Sequence, residues 1–110
     1  MPGISIHVVD VSRGVVGAGM RIELLQGSKR IAEGSVSTSG LLEHKERVPA
    51  GQYEAVFHVA EWYRAQRVAL PAVPFLDVVR YSFGISDSEQ HYHLPFKCTP
   101  WGYSCFRGGA

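Results

Sequence analysis

Three histidines carry the side chains best suited to acid–base chemistry near neutral pH. His7 lies near the start of the chain, and His91 and His93 lie two residues apart near the end. An unperturbed imidazole gains or loses a proton close to physiological pH, so it can act as a general acid or base. If the fold brings His7 across from the other two, the three imidazoles form an acid–base site. Solvated histidines on exposed strands are the alternative interpretation.

The same histidines also allow a metal hypothesis. Two histidines at positions i and i+2 of one strand, with a third from elsewhere, can hold zinc and leave one position open. We prefer the metal-free interpretation and keep zinc as an alternative. The sequence has no nucleophile motif and no dinucleotide fingerprint, and Gly14, Gly17 and Gly19 precede no helix that could receive a phosphate.

Alternation of apolar and polar residues predicts how the histidines are presented. At the start of the chain Ile4 and Ile6 share one face of a strand, and His7 lies on the opposite face. Near the end, the period of two places His91 and His93 on the same face as each other. The histidines are therefore predicted to lie on strand faces that point away from the aliphatic core.

Similar short alternating segments, separated by Gly, Pro, Ser and Asp, continue along the chain. One stretch without alternation, residues 60–67, contains helix-forming residues and is predicted to be a helix of about two turns. The pattern predicts an all-β chain with two packed sheets and one short helix. The eight predicted strands are 4–10, 20–25, 30–37, 41–48, 52–59, 76–85, 91–98 and 103–107.

Length and charge limit the function classes. With 110 residues we expect a single domain over 1–110, and a net charge of +1 argues against nucleic-acid binding. Apolar runs are strand-sized and no signal segment precedes them, so we expect no membrane association and a cytoplasmic protein. Cys98 and Cys105 are read as structural thiols.

Both ends of the chain resemble the transthyretin-related 5-hydroxyisourate hydrolases. The resemblance rests on IHVVD at 6–10, on HYHLP at 91–95 and on WGYSCFRG at 101–108. It is supported in between by TSG at 38–40 and by PAGQY at 49–53. It implies a transthyretin-like, eight-stranded two-sheet sandwich with one short helix.

The resemblance also implies an activity and an assembly. The family opens 5-hydroxyisourate, an unstable product of urate oxidation, by hydrolysis, and it needs no metal or organic cofactor. It implies a homotetramer whose sites for the small-molecule substrate lie at the dimer–dimer interface. A small chain that buries additional surface by assembly is physically reasonable.

Several residues match the family's site one by one. His7 and His93 match its two catalytic histidines, Ser104 matches a serine before the terminal motif, and Arg107 and Gly108 match the middle of that motif. The resemblance therefore implies that His7 and His93 form the acid–base pair. The residues expected to contact substrate are Leu41, Glu43, His91, Ser104, Phe106 and Arg107.

Other positions depart from the family pattern. Leu41 replaces an arginine, Phe106 a tyrosine and Gly109 a serine, and Ala110 adds one residue. Glu43 lies two residues after Leu41, on the same strand face. Loss of one oxyanion donor can cost roughly 3 to 4 kcal/mol of transition-state stabilisation, so the departures favour chemistry redirected to another small carbonyl or heterocyclic compound.

Two other functions stay open. One is ordinary 5-hydroxyisourate hydrolysis in purine catabolism. The other is a non-catalytic tetramer that binds a small molecule, which the apolar Leu41 and Phe106 favour.

Overall fold

The protein is described by a computed structural model that covers residues 2–109. Within this range the chain forms nine strands and one helix. They are β1 (Gly3–Asp10), β2 (Val15–Val16), β3 (Arg21–Gln26), β4 (Lys29–Ser35), β5 (Leu41–His44), β6 (Gly51–His58), α1 (Val59–Ala65), β7 (Val78–Ile85), β8 (His91–Thr99) and β9 (Gly102–Cys105).

The strands form two sheets, which confirms the predicted sandwich. One sheet has the order β4-β3-β6-β7 and is antiparallel throughout. In the other sheet β1 is central: it runs parallel to β8 on one side, and it pairs with β5 and the two-residue β2 on the other. β9 completes this sheet as the antiparallel neighbour of β8. The parallel pairing of the first and penultimate strands brings the two histidine-bearing segments side by side.

Alternation along β1 and β8 forms the core, as predicted. The inward side chains of Ile4, Ile6, Leu94 and Phe96 are almost fully buried. Phe96 stacks on Phe57 of the opposite sheet, with ring centroids 3.8 Å apart. Burial of side chains of this size stabilises the fold by about 1.5 to 3 kcal/mol each. The core therefore fixes which face of each strand points outward.

The two-residue β2 was not predicted, and every other strand boundary except the end of β5 lies within two residues of its prediction. β5 ends at His44 rather than at residue 48, because its partner β1 begins at Gly3 and the preceding Pro2 has no N–H to donate. The strand predicted over 103–107 ends at Cys105. Pairing with β8 resumes in the same register at Gly108, whose N–H donates to the carbonyl oxygen of His93 at 2.7 Å.

The two cysteines lie on the neighbouring strands β8 and β9 and are not bonded to each other. Burial raises the pKa of the Cys98 thiol to about 11 and that of Cys105 to about 12. Both thiols are therefore protonated at neutral pH. In the described part of the chain, no helix has the length and apolar character needed to cross a membrane.

Candidate active site

The candidate site lies on the outward face of the sheet that contains β1 and β8. Ile4 and Ile6 point into the core, so Ser5 and His7 point outward. In the parallel register Ser5 lies opposite His93, and His7 lies opposite Pro95. His7, His91 and His93 thus share one face, because the parallel pairing of β1 and β8 joins two strand faces that the alternation predicted to point away from the core.

Ser5 links two of the histidines directly. Its Oγ lies 2.7 Å from Nε2 of His91 and 2.7 Å from Nδ1 of His93. The serine is only 7% exposed. Sequence reasoning did not select Ser5, because serine does not titrate and no nucleophile motif surrounds it. Its position two residues before His7, on the same strand face, was the available signal.

The surroundings of His93 favour its neutral form. Burial lowers the pKa of His93, and repulsion by the charged forms of His7 and His91 lowers it further. An interaction with the backbone of Ser5 opposes these effects. A neutral imidazole has a lone pair on one ring nitrogen, so His93 can accept a proton at and below neutral pH.

Gly40 makes room for His7. It has a φ of +88°, and a Cβ at this position would lie 2.9 Å from Nε2 of His7 and 2.9 Å from Val16. Both the backbone conformation and the close contact require glycine. The turn that leads into β5 therefore supports the His7 ring from one side.

Gly108 has the same role for His93. A Cβ at Gly108 would lie 2.9 Å from Cδ2 of His93 and 2.8 Å from Cγ of Pro95. The backbone of the C-terminal segment thus packs directly against the imidazole. This contact limits rotation of the ring while Ser5 holds its opposite edge.

β5 adds a leucine and a carboxylate to the same face. Leu41 lies opposite His7 and is 37% exposed, and Glu43 lies opposite Ser5 and is exposed. A depression beside these residues is lined by Glu43, Lys45 and His91, among others. The β5 side of the site therefore combines an apolar side chain with a carboxylate that has a lysine nearby.

β9 and the segment after it bring to this face two further residues that were expected to contact substrate. Ser104 is exposed and lies opposite Lys97. Phe106 is 45% exposed, and the Lys97 ammonium lies 5.7 Å from the centre of its ring. Lys97 is on the outward face because it follows His93 by four residues along β8.

Arg107 is not brought to this face. Its guanidinium lies 4.0 Å from the ring centroid of the inward residue Tyr92, and it donates to Oε1 of Gln90 and to the carbonyl oxygen of His91. Arg107 therefore holds the C-terminal segment against β8. Ala110, the additional residue of the terminal motif, lies outside the described residues.

The zinc alternative can be compared with the observed geometry. Ser5 occupies one ring nitrogen of His91 and one of His93. Among residues 2–109, no three His, Cys, Asp or Glu side chains are grouped so that they could hold a metal ion.

Comparisons with known proteins agree with this fold. Residues 4–108 match the model of the HIUase/Transthyretin family. The chain is similar to the 5-hydroxyisourate hydrolase of Deinococcus radiodurans, with 37% identity over 97% of this chain and 96% of the relative.

Solved structures share the fold. The Klebsiella pneumoniae 5-hydroxyisourate hydrolase superposes with a TM-score of 0.87 at 24% identity, covering 99% of this chain and 100% of that one. Sea bream transthyretin in complex with thyroxine superposes with a TM-score of 0.83 at 19% identity, covering 97% of this chain and 95% of that one. Because the family model matches nearly the whole chain, the chain belongs to the HIUase/transthyretin family.

Proposed function

We propose that this chain hydrolyses a cyclic amide and that 5-hydroxyisourate is its substrate. The observation that carries the proposal is the setting of His93, whose Nδ1 contacts the buried Ser5 hydroxyl while Nε2 is left for a water molecule. The hydrolase relatives support the choice of substrate. These relatives favour 5-hydroxyisourate over the different substrate that the departures at Leu41 and Phe106 led us to expect.

In the proposed reaction, Nε2 of His93 takes a proton from water as the water oxygen bonds to the amide carbonyl carbon. The carbonyl electron pair moves to oxygen and forms an oxyanion. When the carbonyl reforms, the carbon–nitrogen bond breaks and the leaving nitrogen takes up the proton. The lowered pKa of His93 supports this role, because the ring must be neutral to accept the proton.

The oxyanion needs a donor or a cation, and Leu41 offers neither. We propose that Lys97 supplies the positive charge, because it lies on the outward face two residues beyond Pro95, the residue opposite His7. His7 itself is the second donor to the substrate. A fixed charge directed at the developing oxyanion stabilises the transition state more than the ground state.

The test is an assay of freshly generated 5-hydroxyisourate, in which its absorbance decay with enzyme is compared with the spontaneous rate. We expect His93→Gln to lower kcat/KM by roughly 100-fold or more, since general-base catalysis contributes at least that factor. His44→Gln, on the inward side of β5, is the matched histidine control and should retain activity. A wild-type protein that leaves the spontaneous rate unchanged would refute the proposal.

A second candidate function is non-catalytic binding of a small apolar molecule. The exposed Leu41 and Phe106 on the histidine-bearing face favour it. Recovery of a stoichiometric ligand unchanged after long incubation, with no accelerated decay of 5-hydroxyisourate, would support binding over hydrolysis.

A further inference from the structure

The Ser5 hydroxyl has one proton but two histidine neighbours. It can donate to only one ring nitrogen and must accept from the other, because both contacts are 2.7 Å long. Burial of the serine makes loss of either hydrogen bond costly. The protonation of one ring therefore restricts the protonation of the other.

Two arrangements satisfy both contacts when the rings are neutral. In the first, Nδ1–H of His93 donates to Ser5, and Ser5 donates to Nε2 of His91, so both rings carry their proton on Nδ1. In the second, Nε2–H of His91 donates to Ser5, and Ser5 donates to Nδ1 of His93, so both rings carry it on Nε2. In each arrangement the two histidines have the same tautomer.

We propose that Ser5 is a positioning residue that holds His91 and His93 in matched Nδ1–H tautomers and passes a proton between them. The inference rests on the hydrolysis proposed above. In this arrangement Nε2 of His93 has a lone pair for the attacking water. The backbone of Gly108 packs against Cδ2 of His93, so the ring cannot easily turn away from this orientation.

The proton transfer balances along the chain of hydrogen bonds. Nε2 of His93 takes a proton from water, the Nδ1 proton of His93 moves to Ser5, and the Ser5 proton moves to Nε2 of His91. His91 becomes the imidazolium, and the negative charge lies on the substrate oxyanion. His93 is then neutral with its proton on Nε2. As this proton moves to the leaving nitrogen, the relay runs in reverse: His91 returns a proton to Ser5, and Ser5 returns one to Nδ1 of His93, so both rings regain their starting Nδ1–H forms.

Charged neighbours on each adjoining strand bear on this transfer. His7 lies on β1, two residues after Ser5, and its charged form repels a proton on His93. Glu43 on β5 lies opposite Ser5, where a carboxylate favours a cation nearby. Lys97 is further along β8, and Arg107 after β9 lies over Tyr92 on the other face.

The first test reads the tautomers without substrate. Two-bond ¹H–¹⁵N spectra of protein labelled in histidine nitrogen distinguish Nδ1–H, Nε2–H and imidazolium forms. We expect both His91 and His93 as Nδ1–H at pH 8. The proposal would be overturned if the two rings had different tautomers, or if both carried the proton on Nε2.

Variants of Ser5 and His91 make this test more specific. Ser5→Ala should uncouple the rings and change the His93 tautomer, whereas Ser5→Thr keeps the hydroxyl and should preserve it. His91→Phe removes the acceptor, so the Ser5 proton turns to Nδ1 of His93 and shifts that ring towards Nε2–H. An unchanged His93 tautomer in both Ser5→Ala and His91→Phe would contradict the coupling.

The second test is kinetic. We expect Ser5→Ala to lower kcat by roughly 10- to 100-fold, with Ser5→Thr restoring most of it. His91→Phe removes a charge that repels a proton on His93. The midpoint of the acid limb in the plot of kcat/KM against pH should therefore rise towards pH 6.5. Equal losses in Ser5→Ala and Ser5→Thr, with tautomers unchanged, would reduce Ser5 to a packing residue. If wild type lacks hydrolase activity, the proposed function fails, while the spectra still decide the tautomer coupling.

Discussion

At the scale of single residues, the site combines a well-held histidine with a weak set of substrate donors. His93 is fixed by Ser5 at one edge and by Gly108 at the other. Leu41, in contrast, presents an uncharged side chain opposite His7. The proposed proton-transfer group, His93, is thus held more firmly than the groups proposed to stabilise the oxyanion, so we expect a hydrolase of reduced efficiency.

Leu41→Arg should raise the efficiency of the proposed hydrolysis. The position is partly exposed and opposite His7, so a guanidinium has room and can offer a forked pair of donors to the substrate carbonyl. We expect kcat/KM for 5-hydroxyisourate to rise roughly 10- to 100-fold.

Leu41→Met is the matched control for this change, because it alters shape without adding charge. An equal effect of arginine and methionine, or no gain from arginine, would mean that a cation at this position does not contribute.

At the scale of elements, the parallel pairing of β1 with β8 creates the site. It sets Ser5 opposite His93 and His7 opposite Pro95, so residues 88 positions apart in the chain share a hydrogen bond. Pro95 also interrupts the β9 ladder, since it has no N–H to donate. The chain therefore pairs with β8 again, in the same register, only at Gly108, where it packs against the imidazole.

Gly108→Ala tests this contact. The added methyl group would approach Pro95 and His93 to within 3 Å, so the C-terminal segment or the His93 ring must move. We expect a fall in kcat/KM of roughly tenfold or more with little change in Tm, because the segment lies outside the buried core.

Gly109→Ala provides the comparison, because a Cβ there meets no atom within 4 Å. It should leave both kcat/KM and Tm near the wild-type values. A Gly108→Ala protein with full activity would show that the segment does not position His93.

At the scale of the whole molecule, the histidine-bearing face is open in the single chain. Leu41 and Phe106 are exposed on it beside polar groups. The homotetramer implied by the family resemblance would cover this face with a second copy and exclude water from the substrate. Such exclusion strengthens the electrostatic interactions on which the proposed reaction depends.

Light scattering with size-exclusion chromatography should therefore give four times the mass of the chain. Phe106→Glu places a charge on the proposed interface and should dissociate the tetramer. Ala69→Glu, on the exposed segment after α1, should leave the assembly intact. A wild-type monomer at micromolar concentration would contradict the proposed assembly.

Local patterns in the sequence were sufficient for the sandwich and for the faces of the histidines. The alternation along β1 and β8 is maintained by core burial of one face, so the direction of the other face follows from the period of two. The same reasoning missed the end of β5, which depends on where the partner strand begins. Arg107 was assigned to the site from the family resemblance; alternation with the outward Phe106 instead places it on the inward side, over Tyr92.

The sequence by itself determined the family, the two-sheet architecture and the outward presentation of His7, His91 and His93. Only the tertiary structure decided that Ser5 joins His91 to His93, that Gly40 and Gly108 support the rings, and that Arg107 lies against Tyr92. The physical reason is that strand alternation is set by neighbours in the chain. Hydrogen bonds across β1 and β8 depend instead on a parallel register between segments more than 80 residues apart.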